Sequence, residues 1–144
     1  MYNKILFPVD GSENSKRAFQ HVLSLSEKYG SEVILLHTYQ MIGEIVNVLG
    51  EQVSYIEEVN ESKTSNGEII VRPFVDELRL RQIKFETMII KGEADYEIVN
   101  LAEANQCSLI IVGNEGMKTW SRFFLGSVSE NVAHHAKCPV LLIP

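Results

Sequence analysis

Gly113-Asn114-Glu115-Gly116, nine further residues and then Gly126-Ser127 form the stretch whose residue types and spacing carry the most chemistry. The apolar run Leu109-Ile110-Ile111-Val112 precedes it, and a helical pattern opens near Ser127. Strand, glycine-marked loop and helix start are the order in which α/β proteins turn backbone N–H groups toward a phosphate. Gly113 and Gly116 allow backbone conformations closed to other residues and let a ligand approach the main chain. Behind Gly126-Ser127, the first N–H groups of the helix lack intrahelical partners, and its dipole favours an anion. The same residues also have a purely structural use: Ser127-Val128-Ser129-Glu130 fits the capping box, in which Ser127 serves the helix alone.

Asp10, at the end of the first apolar run, has two readings as well, a ligand contact or a turn and cap residue. Several enzyme classes fail on missing parts. No G-x-G-x-x-G follows the first strand and no G-x-x-x-x-G-K-[ST] occurs, so neither dinucleotide nor P-loop chemistry is indicated. A receiver domain needs an acidic cluster after strand one and an aspartate after strand three; this chain has Asp10 alone and then Lys91-Gly92. A nucleophile elbow is absent. His134 and His135 read as surface or helix-end residues, and His21 and His37 belong to no ligand pattern. Cys107 and Cys138 have no metal-ligand spacing and read as buried thiols. The net charge of −6 argues against nucleic acid or an anionic membrane as partner, so any phosphate site must be built locally.

The elements that must position this loop follow from the apolar pattern. At 144 residues the chain is expected to form one domain, 1–144, with a sizeable core. Lys4 to Val9 reads as a buried strand with Pro8 at its end. The stripe Ala18, Val22, Leu25 and Tyr29 predicts a helix stopped by Gly30, with Lys28 in its last turn. Glu32 to Thr38 is the second strand, apolar enough for burial on both faces. From Tyr39 to about Ile83 the organisation blurs, with breaks possible at Gly43, Gly50, Asn60 to Gly67 and Pro73. A helix is expected over Pro73 to Gln82 with Pro73 in its first turn, and another helical piece within 44–59. Phe85 to Ile90, the third strand, alternates in part, as expected near a sheet edge. A helix from Asp95 to Ala104, the strand Leu109 to Val112, a helix from Ser127 to His135 and the strand Pro139 to Ile143 complete the chain.

This alternation predicts an α/β fold, a doubly wound five-stranded parallel sheet with helices on both faces. Ligands bind such sheets where the winding direction reverses, which brings Pro8-Val9-Asp10 opposite Gly113 to Gly116 across one crevice. The N-terminus shows no signal-peptide pattern, and no apolar run approaches the roughly 18 residues of a membrane span. The expected compartment is the cytoplasm.

G-x-x-G, nine residues, then G-[ST] resembles the ATP-binding signature of the universal stress protein family. The resemblance extends over the chain, through Lys4 to Ser12, Val33 to His37, Leu109 to Gly113, Gly126 to Glu130 and Cys138 to Pro144. It implies strand order 3-2-1-4-5, an adenine nucleotide alpha hydrolase-like fold and an ATP or other adenine-nucleotide site. By that resemblance Pro8 and Asp10 lie at the adenosine end, and Thr38 meets adenine through its backbone. Val112 packs by ribose or base; Gly113, Glu115 and Gly116 lie near ribose and phosphate. Gly126, Ser127 and Val128 hold phosphates by their amides, Ser127 adds its hydroxyl, and Ser129 contributes. Magnesium or manganese would accompany the phosphates, with Asp10 as its protein contact. The resemblance further implies a homodimer formed through strand 139–143, and a stress-linked sensor or regulator with an unidentified protein partner rather than an efficient enzyme.

One position departs from the family pattern. Glu115 stands where nucleotide-binding relatives usually carry histidine, arginine or another non-acidic residue. A carboxylate there repels a triphosphate unless it turns outward or a metal intervenes; Lys118 and Arg122 in the same loop offset it. The alternative reading is a dimeric interaction scaffold that keeps the loop and binds no nucleotide.

Overall fold

The computed structural model describes residues 1–40, 53–114 and 126–144, and side chains among these outside 53–65. In chain order the elements are β1 (Lys4–Pro8), α1 (Glu13–Tyr29), β2 (Glu32–Tyr39), α2 (Val53–Leu80), β3 (Phe85–Lys91), α3 (Ala94–Ala104), β4 (Leu109–Gly113), α4 (Ser127–His135) and β5 (Val140–Ile143). The strands form one parallel sheet in the order β3-β2-β1-β4-β5. The winding reverses between β1 and β4, as the alternation of elements predicts.

Because side chains alternate across a strand, the sheet builds two cores. Ile5, Phe7, Val33, Leu35, Leu109 and Ile111 meet α1 and α2 on one face. Leu6, Ile34, Leu36, Ile110 and Val112 meet α3 and α4 on the other. On the first face Phe7, Phe19 and Phe74 form an aromatic cluster, with Phe19 edge-on to Phe74 at 4.9 Å between centroids. Ser12 caps α1, its side chain accepting from the Ser15 N–H, and Gly30 ends the helix in the left-handed conformation at φ 67°.

The expected helix over Pro73 to Gln82 is corrected in one respect. α2 runs unbroken from Val53 to Leu80, so Pro73 lies in its interior and the polar run Asn60 to Gly67 is helical. The helical piece expected within 44–59 is the start of α2 from Val53; residues 44–52, with Gly43, lie outside the described residues. Interior proline costs about 3 kcal/mol. Burial of Val71, Phe74 and Leu78 in the core offsets that cost, at roughly 1.5–3 kcal/mol for each large apolar side chain. The carbonyl that loses its donor is that of Ile69, a residue on the exposed face of the helix.

α2 is also tied to the sheet beneath the crevice. Gly67 is buried, and a Cβ there would meet His37 Cδ2 at 2.9 Å and an Ile89 methyl at 3.1 Å. The His37 ring cannot retreat freely, because its Nδ1 is held 2.9 Å from the Val9 carbonyl. Gly67→Val is therefore expected to destabilise the fold by roughly 1–3 kcal/mol through overpacking. Urea denaturation should show a lower midpoint at unchanged slope.

Candidate functional site

At the carboxyl ends of β1 and β4 lies a cleft of about 290 Å³. Its apolar surface comes from Val9, Leu36, Ala94, Ile98 and Val112, and its polar surface from Asp10, Ser12, Asn14, Ser15, Thr38 and the start of α4. Pro8, Asp10, Thr38, Val112, Gly113, Gly126, Ser127, Val128 and Ser129, all candidates from the sequence, line this one cleft. Glu115 and Gly116, with Lys118 and Arg122, lie outside the described residues.

Thr38 owes its place to unequal strand lengths. The Val9 N–H donates to the Leu36 carbonyl at 2.8 Å, the last sheet bond between these strands. Leu36 therefore faces β1, and Thr38, two residues on, directs its own N–H and C=O the same way. β1 has already ended at Pro8. A backbone donor and acceptor thus face the cleft side by side, at a height where no described residue supplies a backbone partner.

Asp10 makes the turn that Gly11 allows at φ 82°. Its Oδ1 accepts from the Ser12 N–H at 3.0 Å and from the Ser15 hydroxyl at 2.8 Å. Partial desolvation pushes its carboxyl up, but the hydrogen bonds from Ser12 and Ser15 outweigh it and hold the group below its ordinary range. The turn reading of Asp10 is thus realised, and its other oxygen receives no hydrogen bond from the described residues.

At the opposite wall the capping-box reading is corrected. Gly126, extended at φ −60° and ψ 152°, is the N-cap of α4 and supplies no side-chain cap; Ser127 is the first helical residue. Its hydroxyl is exposed and bonds no described residue. Ser129 is buried, with its hydroxyl 3.0 Å from the Gly126 carbonyl and 3.4 Å from Asn114 Oδ1. It pins the start of α4 to the end of β4. No described side chain caps the first amides of α4 beside the cleft, where backbone dipoles favour an anion.

Gly113 lines the cleft and also serves packing. It is the last residue of β4, and a Cβ there would fall on the Asn14 amide, 2.9 Å from Cγ. Its missing side chain makes room for Asn14. Sequence reasoning missed Asn14, although it sits on the Ala18–Val22 stripe of α1 as a polar residue on an apolar face. It also missed Ser15, whose signal was the serine-rich turn after Asp10, and Ala94 and Ile98, whose apolar pattern gave no hint of a ligand wall. Of the thiols, Cys107 is buried and Cys138 half-buried. Desolvation pushes Cys107 up to about 11, which fits the inert reading.

Known proteins share this arrangement. The universal stress protein family model matches residues 1–144. Universal stress protein MJ0577 of Methanocaldococcus jannaschii is 32% identical over 154 residues, covering 99% of this chain and 95% of the relative. The solved structure of MJ0577 aligns with a TM-score of 0.85 at 31% identity, covering 99% and 96% of the two chains. A universal stress protein solved in complex with cAMP has a TM-score of 0.72 at 23% identity, with 99% and 96% covered. An Arabidopsis thaliana family protein solved with AMP bound has 0.67 at 23%, with 98% and 90% covered. At that identity the last two establish the shared fold.

The Asp10 turn has a measurable signature. A carboxyl held below its unfolded value stabilises the fold above the ordinary carboxylate range and loses that contribution as pH falls through its folded value. Asp10→Asn is expected to lower the urea midpoint at neutral pH. The gap from wild type should narrow as pH is lowered through about 3.9 and below.

Proposed function

This chain belongs to the universal stress protein family, and on that premise we propose that it is an adenine-nucleotide-binding regulatory module. The supporting observation is the convergence on one cleft of Thr38 and the uncapped first turn of α4. The N–H and C=O of Thr38, which no described residue pairs, complement the acceptor and amine on an adenine edge. Leu36, Ile98 and Val112 offer the apolar faces that a base and ribose bury. The amides of Ser127, Val128 and Ser129 supply neutral donors for phosphate, and the Ser127 hydroxyl adds another. The bound AMP and cAMP of two proteins of this fold point the same way. Gly113 lies between these two ends; Glu115 and Gly116 of the signature belong to the same proposed site.

Regulation suits this cleft better than fast catalysis. Asp10, its one described carboxylate, is held below the ordinary range and is a weak base at neutral pH. We assign ATP or another adenine nucleotide as ligand, with hydrolysis slow at most. Among the described residues no group of three metal-ligating side chains occurs. The free oxygen of Asp10 fits a magnesium or manganese ion that takes its other ligands from phosphates and water. Such an ion would neutralise phosphate charge.

β5 is a sheet edge with Val140, Leu141 and Leu142 half-buried. A bare edge invites pairing, and we propose an antiparallel twofold homodimer through residues 139–143. No described helix is long and apolar enough to cross a membrane. A cytoplasmic role in the stress response, through a regulatory protein partner, completes the proposal. Glu115 favours the second reading, a dimeric scaffold that keeps the loop without nucleotide.

Calorimetry with AMP and ATP separates the two. Binding by wild type and its loss in Gly126→Val are expected, because a side chain at the α4 cap blocks approach to the amides. Gly126 holds an extended conformation that valine also adopts, so the fold should survive. No binding at millimolar ATP favours the scaffold. In sedimentation, Leu141→Lys should be monomeric with a retained thermal transition, since like charges meet across a self-paired strand.

A further inference from the structure

Asn14 is 2% exposed, yet it lines the cleft from the first turn of α1. Arg17 donates to its Oδ1 at 3.0 Å. Guanidinium only donates, so the oxygen must face Arg17 and the amide nitrogen must point the other way. That nitrogen lies against the Cα side of Gly113, in the space a Cβ would fill. It donates to no described residue, and it is not sealed from solvent: Ser26 Oγ is the one described side-chain atom both sealed and unbonded. A buried amide with two N–H groups and no acceptor among the described residues is costly to leave unsatisfied. Its remaining open direction is the cleft.

We propose that Asn14 is a ligand-reading residue, whose Nδ2 donates to an oxygen of the ribose–phosphate portion of the nucleotide. The inference rests on the nucleotide reading of the cleft and extends it to a residue outside the glycine signature. An amide donor at this point selects ligands that present an oxygen acceptor and rejects those that present only apolar surface or a further donor. The juxtaposition with Gly113 gives the glycine a purpose as well. Its bare Cα lets the amide sit against the end of β4, in the cleft that Thr38 and the start of α4 also line.

Asn14→Asp is the sharpest test. Aspartate keeps the shape and the oxygen that faces Arg17, but it turns the cleft-facing donor into an anionic acceptor. AMP affinity, measured by calorimetry, should fall by at least about tenfold. Asn14→Ala, which removes the donor without adding charge, should lower it by roughly fivefold, and thermal melting should show both variants folded. Adenosine, titrated in parallel, identifies the acceptor. Losses shared by adenosine and AMP place the contact on a ribose oxygen; losses confined to AMP place it on phosphate. If wild type binds AMP and Asn14→Ala binds within about twofold of it, the role of Asn14 is overturned while the cleft reading stands. Should Asn14→Asp fail to fold, Asn14→Ala decides alone. If wild type binds neither AMP nor ATP, the cleft reading fails and takes this inference with it.

Discussion

Everything proposed for this protein depends on the divergence of the chain at the middle of its sheet. β1 leads to α1 on one face, while β4 leads toward α4 on the other. Two parallel strands whose continuations part in opposite directions leave a gap above their carboxyl ends. Pro8 deepens the effect. β1 stops there while β2 runs on to Tyr39, so the longer strand presents backbone groups with no neighbour to pair. The cleft is thus lined by main chain that the sheet does not satisfy. The donors and acceptors of Thr38 and the uncapped amides of α4 are two outcomes of that one constraint.

The fold was legible because burial on both faces of a parallel sheet leaves a direct mark. Ile5-Leu6-Phe7, Val33 to Leu36 and Leu109 to Val112 are continuous apolar runs because alternate residues feed different cores. Phe85 to Lys91 lacks such a run and is an edge, with no fully buried residue. Local signals failed where tertiary burial or a neighbouring side chain decided the outcome. Pro73 marks a helix start by its own chemistry, yet Phe74 and Leu78 beside it carry α2 straight through. Ser127 satisfies a capping pattern, but the extended conformation of Gly126 moves the cap one residue earlier. Neither competing effect is written in the residue itself.

The site was legible by position and less so by role. Gly113, Gly126, Ser127 and Thr38 all line one cleft, but motif logic gave no hint that the missing Cβ of Gly113 also accommodates Asn14. Asn14 itself left a faint trace, a polar side chain at helical spacing from Ala18 and Val22. Spacing alone does not separate such a residue from a surface position, because its burial comes from β4, about a hundred residues away in sequence. Contacts of that kind appear only after the sheet order is known.

Charge sets the character of the proposed binding. The cleft has no lysine or arginine among its described lining residues and one carboxylate, Asp10, whose Oδ1 is occupied by Ser12 and Ser15. An anionic ligand would there be held by neutral donors: the amides of α4, the Ser127 hydroxyl and the Asn14 amide. Neutral donors suit one phosphate well, since each bond to a charged oxygen is stronger than its neutral counterpart. They do not neutralise the added charge of a second and third. The sequence between Gly113 and Gly126 carries the remaining charges, Glu115 against Lys118 and Arg122. On the proposed reading, the preference between mono- and triphosphate would therefore turn on these charges and any divalent ion, while recognition of the adenosine half would fall to the sheet.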